Sequence, residues 1–384
     1  MWLEKSHVQE RGTEMNSQGY TAVTLRLIEE LAANHIDVSA ILSRQHIDLN
    51  ELKSGATQVS SLRYARLVRT VLAMPDAPQG LGLRVGRRCS IDDLGDAGGA
   101  MRGSRNLRYA LCIAASCNPA PLGDPMEKEG SKLRFVGNED GASLHRSCES
   151  MLWLEERFMV EVWLGSMCNI VDSLLPADCE YSESVRVRVT FPQPSYYEQY
   201  DELLAWEISF DESCNEILLP DELLDTPFLT ADPSAVRNHI AMCQRDFDSC
   251  ARSYQVIQRI HNRYKNESLG DLQLDEVANQ LAVSTRTLNR RLAGAATNFR
   301  EITTELRMNQ AGEYLANTDL PAKHISYLLG YSHPESFYRA FREWWAWTPR
   351  QFRTMSYSSR VQSSNSVNLM MQVKEMNEAH ASAA

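Results

Sequence analysis

Two short groups of side chains near the C-terminal end of the sequence have the types and spacing to read DNA. The first is Ser284, Thr285, Arg286, Asn289 and Arg290; the second is His333, Glu335, Tyr338 and Arg339. Arginine can pair bidentately with guanine and asparagine with adenine, while glutamate can accept from cytosine. Where no cytosine is offered, Glu335 repels phosphate and so filters against wrong placement. His333 is open to two readings, a base contact or a helix cap. Arg291 lies off the first face and suits a phosphate or solvent.

These groups need helices to present them. Leu274, Val277, Ala278 and Leu281 recur at helical spacing, Val283 plugs a turn, and Ser284 carries the hydroxyl that an N-cap requires. The next helix turns Leu288 and Leu292 inward, so its N-terminal turns expose the polar set. The plan then repeats. Pro321 suits a helix start, Ile325, Leu328 and Leu329 are expected to face inward, Gly330 ends the helix, and Phe337 and Phe341 anchor the one after it. A helix over residues 301–317, about 25 Å long at the usual rise, joins the two. Such a rod suits two reading helices in successive major grooves, roughly 34 Å apart. A plain helical bundle would explain one such pattern but fits two in tandem poorly.

Charge must be local for this to work. Net charge is −11 over 384 residues: 21 Lys/Arg against 36 Asp/Glu in 1–233, 6 against 2 in 234–265, and 12 against 12 in 266–384. An acidic first part and a neutral last part argue against nonspecific coating of nucleic acid. The nine cysteines are scattered without a CxxC pair, which reads as reduced, mostly buried thiols in a cytoplasmic protein. Residues 1–16 lack the apolar run of a signal peptide, and no 18-residue apolar stretch occurs, so no membrane association is expected.

Upstream, the sequence predicts helices over 20–34, 38–45, 61–74, 106–117 and 151–175. The glycine-dense stretch 81–100 lacks the context of a phosphate-cradling loop, and tight turns with close backbone packing are the plainer reading. Hairpins are expected around the NEDG and DESCN segments, and residues 185–191 alternate as a half-exposed strand. Trp153, Phe158, Trp163 and Trp206 could line a pocket but more simply fill a core; Arg186 and Arg188 could meet an anion but suit a solvated strand face. Residues 234–264 read as one long helix or two that link domains and could dimerise.

The run VSTRTLNRRL, then ELRMNQAGEYL, then HISYLLGYSHPESFYRAFREWWAWTPRQFR resembles the DNA-binding domain of the AraC/XylS family of bacterial transcription regulators. Over about 80 residues the resemblance assigns base reading to Arg286, Asn289, Arg290, His333, Glu335, Tyr338 and Arg339. Upstream, LGLRVG, DLGDAGGAMRGSRNLRYAL and PDELLDTPF resemble the arabinose-binding-type domain of ornithine-utilisation and virulence regulators, which implies sensing of a small molecule or dimerisation. Three positions where the family usually has glycine hold Ala282, Ala296 and Ala346; Gly294 could take over one turn.

The expected fold is therefore an α+β N-terminal domain followed by an all-α C-terminal domain with two helix-turn-helix units joined by a long helix. The expected division is 1–18 disordered, 19–233 sensing and dimerisation, 234–265 helical linker, 266–355 DNA binding and 356–384 disordered tail. The resemblance implies an activator acting as a homodimer on promoter DNA, with RNA polymerase as a partner and a small effector of unspecified identity. The alternative is control of the same DNA-binding module by a protein partner. Some relatives fuse this module to a DNA-repair methyltransferase, but the clustered cysteines and Pro-Cys-His-Arg site it needs are absent, as is any HExxH spacing. No enzymatic activity, cofactor or metal is expected.

Overall fold

The computed structural model describes residues 15–45, 47–74, 76–117, 133–138, 141–146, 153–176, 179–204, 206–264, 273–293 and 297–354. The expectations for the 1–14 and 355–384 segments, for Gly294 and Ala296, and for the NEDG turn at 139–140 lie outside them. Helix α1 (Met15–Ala33) starts inside the segment expected to be aperiodic. It packs with α2 (Ser39–Arg44), α3 (Leu49–Ser54) and α4 (Ser61–Leu72) around Leu27, Leu31, Leu52, Leu67 and Val71. Helix α3 is too short for periodicity to reveal it. Its ends are chemical: the Asp48 carboxylate accepts from the Asn50 and Glu51 amides, and Gly55 closes it at φ +74°.

The glycine-dense stretch is not a series of turns. It forms α5 (Leu81–Arg88), a 3-10 turn at Ile91–Leu94 and α6 (Asp96–Arg102), followed by α7 (Leu107–Cys117). Its glycines serve contact between helices. A Cβ on Gly86 would lie 2.3 Å from the Val162 carbonyl, and one on Gly165 would lie 2.4 Å from that of Leu83. Helix α5 therefore meets the long helix α8 (Trp153–Leu174) backbone to backbone. Close packing was the right expectation; the local conformation was not.

Among the described residues five short strands make one sheet: β1 (Arg134–Asn138), β2 (Gly141–His145), β3 (Arg186–Arg188), β4 (Glu207–Ser209) and β5 (Glu216–Pro220), in the order β1-β2-β5-β3-β4. The β1–β2 pair is antiparallel, as expected. The DESCN hairpin does not form, because β3 inserts between β4 and β5 and pairs parallel with β4. Only three residues of 185–191 join the ladder, yet the alternation holds: Val185, Val187 and Val189 are buried and Arg186 and Arg188 exposed. Helices α9 (Glu198–Leu204) and α10 (Asp221–Leu224) complete this half. Phe158, Trp163 and Trp206 are core residues, as the simpler reading held. Trp153 has no described side chain. The cysteines are less buried than expected: of those described, Cys89, Cys168 and Cys243 are buried, Cys112 is exposed, and the others lie between.

Helix α11 (Pro233–Tyr264) is a single helix of 32 residues. Its first half lends Val236 and Cys243 to the sheet-side core, and its end lends Val256, Ile257 and Ile260 to a C-terminal core. That second core includes residues of α12 (Leu274–Gln280), α13 (Thr285–Ala293) and the start of α14 (Phe299–Asn317). The far end of α14 joins α15 (Ala322–Leu328), α16 (Pro334–Trp345) and Phe352 in a last aromatic-rich core. Leu328 is a correction: it is 49% exposed, because Ile325, Ser326 and Leu329 already fill the buried stripe of this one short helix.

Candidate nucleic-acid interface

Helices α12 and α13 are joined by a tight turn in which Ala282 takes φ +53°. The Val283 amide returns to the Ala278 carbonyl, and the Ser284 hydroxyl accepts from the Thr287 amide at 3.2 Å. Ser284 is thus the cap that α13 needs. Leu288 and Leu292 are fully buried, which fixes the rotation of α13 and leaves Arg286, Asn289 and Arg290 exposed with Thr285 half-buried. Arg291 is half-buried, off that face.

The second pair follows the same logic. Gly330 takes φ +79° after α15, and Pro334 occupies the first turn of α16. His333 is at the cap position, but its side chain makes no capping bond, so it stands exposed beside the first turn. Phe337 and Phe341 are fully buried; Glu335, Tyr338 and Arg339 are exposed on the other side. Ala346 closes α16 at φ +61°. Among the described residues, Arg286, Arg290 and Arg339 enter no ion pair, so their charge is available to a ligand.

Each expected group therefore shares one helix, and α14 spans the gap between them. At 19 residues it is about 28 Å long. Three hydrogen bonds tie the following elements to it: the Trp345 indole donates to the Met308 carbonyl at mid-helix at 3.0 Å, and the Arg353 guanidinium donates to the Leu315 carbonyl near its end at 3.2 Å and to the Leu320 carbonyl just beyond it at 2.6 Å.

In the N-terminal half the most enclosed carboxylate among the described residues is Glu161 on α8. Its carboxylate accepts from the Tyr196 and Tyr200 hydroxyls at 2.7 and 2.8 Å, and desolvation holds its pKa above the ordinary value. Trp163 and Trp206 bury indole N–H groups with no acceptor. On the sheet, His145, Cys214 and Glu216 bring potential metal-ligating atoms within 4.8 Å of one another. Arg188 Nη1 already lies 2.9 Å from Glu216, so a cation fills that carboxylate's neighbourhood. Arg188 thus has a partner of its own on the strand face.

Sequence reasoning missed one group, Arg63, Arg66 and Arg69 on α4. Their three-residue repeat, opposite the apolar stripe, was the available signal. No helix among the described residues is long and apolar enough to cross a membrane.

Residues 36–228 match the family described as the arabinose-binding domain of AraC transcription regulator, N-term, and residues 277–355 match a helix-turn-helix domain. The chain is 27% identical to the ornithine utilization regulator of Pseudomonas aeruginosa over 88% of its own length and 96% of that protein's. It is 38% identical to the regulator VirS of Mycobacterium tuberculosis over 84 residues, 22% of this chain and 25% of that one. The crystal structure of the regulator CdpR from Pseudomonas aeruginosa aligns with 86% of this chain and 97% of its own, at 20% identity and a TM-score of 0.40.

Proposed function

This chain belongs to the AraC family of DNA-binding transcription regulators, with an N-terminal ligand-binding domain, and from that premise we propose which residues read its operator. Each of the pairs α12–α13 and α15–α16 acts as a helix-turn-helix unit, with α13 and α16 entering successive major grooves. Arg286, Asn289 and Arg290 read one half of the operator; His333, Glu335, Tyr338 and Arg339 read the other. Ser284 and Thr285 meet the sugar-phosphate backbone at the start of α13. The observation that carries this reading is the rotation of both helices. Leu288 and Leu292, then Phe337 and Phe341, are fully buried, which turns both polar groups outward.

In this proposal residues 19–233 sense a small effector and dimerise, 234–265 link, and 266–355 bind DNA. Effector binding favours the DNA-competent state by its differential affinity for two states. The cytoplasmic protein activates transcription as a homodimer that engages RNA polymerase. Ornithine is the first effector to try, on the strength of the name of the Pseudomonas relative.

The test is binding of the purified protein to fragmented genomic DNA, sequenced, at a stated salt concentration, with and without ornithine. Enrichment of a motif whose two parts are about one helical turn apart, lost in an Arg290→Ala, Arg339→Ala double variant, supports the assignment. A motif that survives in the double variant overturns it.

A further inference from the structure

Helix α4 has two working faces. Tyr64, Leu67, Val68 and Val71 face the N-terminal core. The other face lies on the C-terminal half at three places. Arg63 Nη2 is 3.0 Å from Glu301 at the start of α14. The Arg66 guanidinium lies 5.1 Å from the Trp344 ring centre, and that of Arg69 lies 4.2 Å from the Trp345 ring centre, both at the end of α16. Leu62 packs against both C-terminal cores.

The partners are themselves held. The Glu301 carboxylate accepts from the Thr297 hydroxyl at 2.9 Å, and Trp345 is bonded to Met308. Arg69 Nε also lies 3.1 Å from Glu155 of α8, so a continuous line of contacts runs from α8 through Arg69 and Trp345 to the middle of α14. All of this falls away from the reading faces: His333, Glu335, Tyr338 and Arg339 stay exposed while α4 is docked.

We infer that α4 is a brace that sets the spacing between the two reading helices, with Arg63, Arg66 and Arg69 as positioning residues. This rests on the reading of α13 and α16 as DNA-reading helices. The brace touches the helix that follows α13 and the far end of α16, so it restrains bending of α14 between the two units. It holds weakly. Arg66 buries its Nε without a hydrogen-bond partner, so desolvating that cation opposes docking. An interface of this kind responds to small changes in α8, where Glu155 holds Arg69 Nε while the guanidinium lies over Trp345. Its partner is this chain's own DNA-binding half.

The test uses the full chain in four forms: wild type, Arg69→Ala, Arg63→Glu, and the charge swap Arg63→Glu with Glu301→Arg. Hydrogen exchange is followed over residues 61–72 and 334–345, and affinity is measured for the enriched two-part duplex and for each part alone. Arg69→Ala and Arg63→Glu are expected to speed exchange in both segments several-fold and to weaken the two-part duplex about tenfold, leaving each single part within twofold. The swap is expected to restore both readouts. Unchanged exchange in either single variant means that α4 does not dock, and overturns the inference. Equal weakening on single parts also overturns it, because the arginines would then act on charge or on one unit's fold. If wild type shows no preference for two parts over one, the operator reading fails instead, and the exchange measurement still decides the docking.

Discussion

The indole N–H of Trp345 donates to the carbonyl of Met308, 37 residues earlier, and the two groups are wholly enclosed. This single bond fastens the end of α16 to the middle of α14. Trp345→Phe keeps most of the apolar contact and loses the bond. The Met308 carbonyl sits within a helix, so it keeps an acceptor's role there and the loss falls at the low end, about 1 kcal/mol. Urea unfolding of the two proteins checks this. An unchanged midpoint would show that the bond adds nothing to the ring's packing.

Ala282 and Ala346 hold φ +53° and +61°, where an L side chain is strained by roughly 1–2 kcal/mol. Glycine removes that strain but loses about 0.5–1 kcal/mol through the freedom of the unfolded chain. The relief of strain outweighs that loss, so Ala282→Gly and Ala346→Gly should each raise stability by about 0.5–1 kcal/mol. Thermal unfolding of the single and double variants measures it. A fall in Tm for either would mean that its turn tolerates alanine at no cost.

Arg290→Ala and Arg339→Ala should each cost about 1–3 kcal/mol of operator affinity and relax the preference at one base position. The comparison is with random DNA of equal length across a salt series. Equal loss on both DNAs, with a shallower salt slope, would make these residues phosphate contacts.

Glu161 gives the N-terminal half a pH dependence. Burial raises its pKa, with Arg157 and the two tyrosine hydroxyls opposing. The folded carboxyl therefore holds its proton to higher pH than the unfolded one, whose ordinary value is 4.5. Between those two values the folded state binds more protons, so stability falls as pH rises. Its contribution is whole below the unfolded value and is lost as pH passes the folded one. Glu161→Gln keeps an oxygen acceptor for Tyr196 and Tyr200 and removes the titration. Unfolding followed from pH 4 upward should give a flatter curve in the variant; identical slopes would assign the effect to another group.

The rotation and caps of α13 and α16 were legible because their signals are short-range. Leucine spacing sets the rotation of α13, one hydroxyl caps it, and the alanines that replace glycine stand at two left-handed turns. The N-terminal half was legible only in pieces. In α5, Gly82 and Gly86 look like turn residues until α8, some 80 residues on, supplies the backbone they lie against. The insertion of β3 between β4 and β5 is likewise a long-range choice, since nearness in sequence favoured a hairpin. Leu328 failed for a narrower reason: its neighbour Leu329 took the inward place. The α4 arginines were visible as a repeat, but their partners Glu301, Trp344 and Trp345 lie far along the chain, beyond the reach of any local pattern.

Helix α11 and helix α4 enter the C-terminal half at different places, one by burying Ile257 and Ile260, the other through Arg63, Arg66 and Arg69. The first support lies under the α12–α13 unit and the second reaches the end of α16, so α14 is held like a beam propped near both ends. Removing the prop at α4 leaves the α15–α16 unit cantilevered on α14.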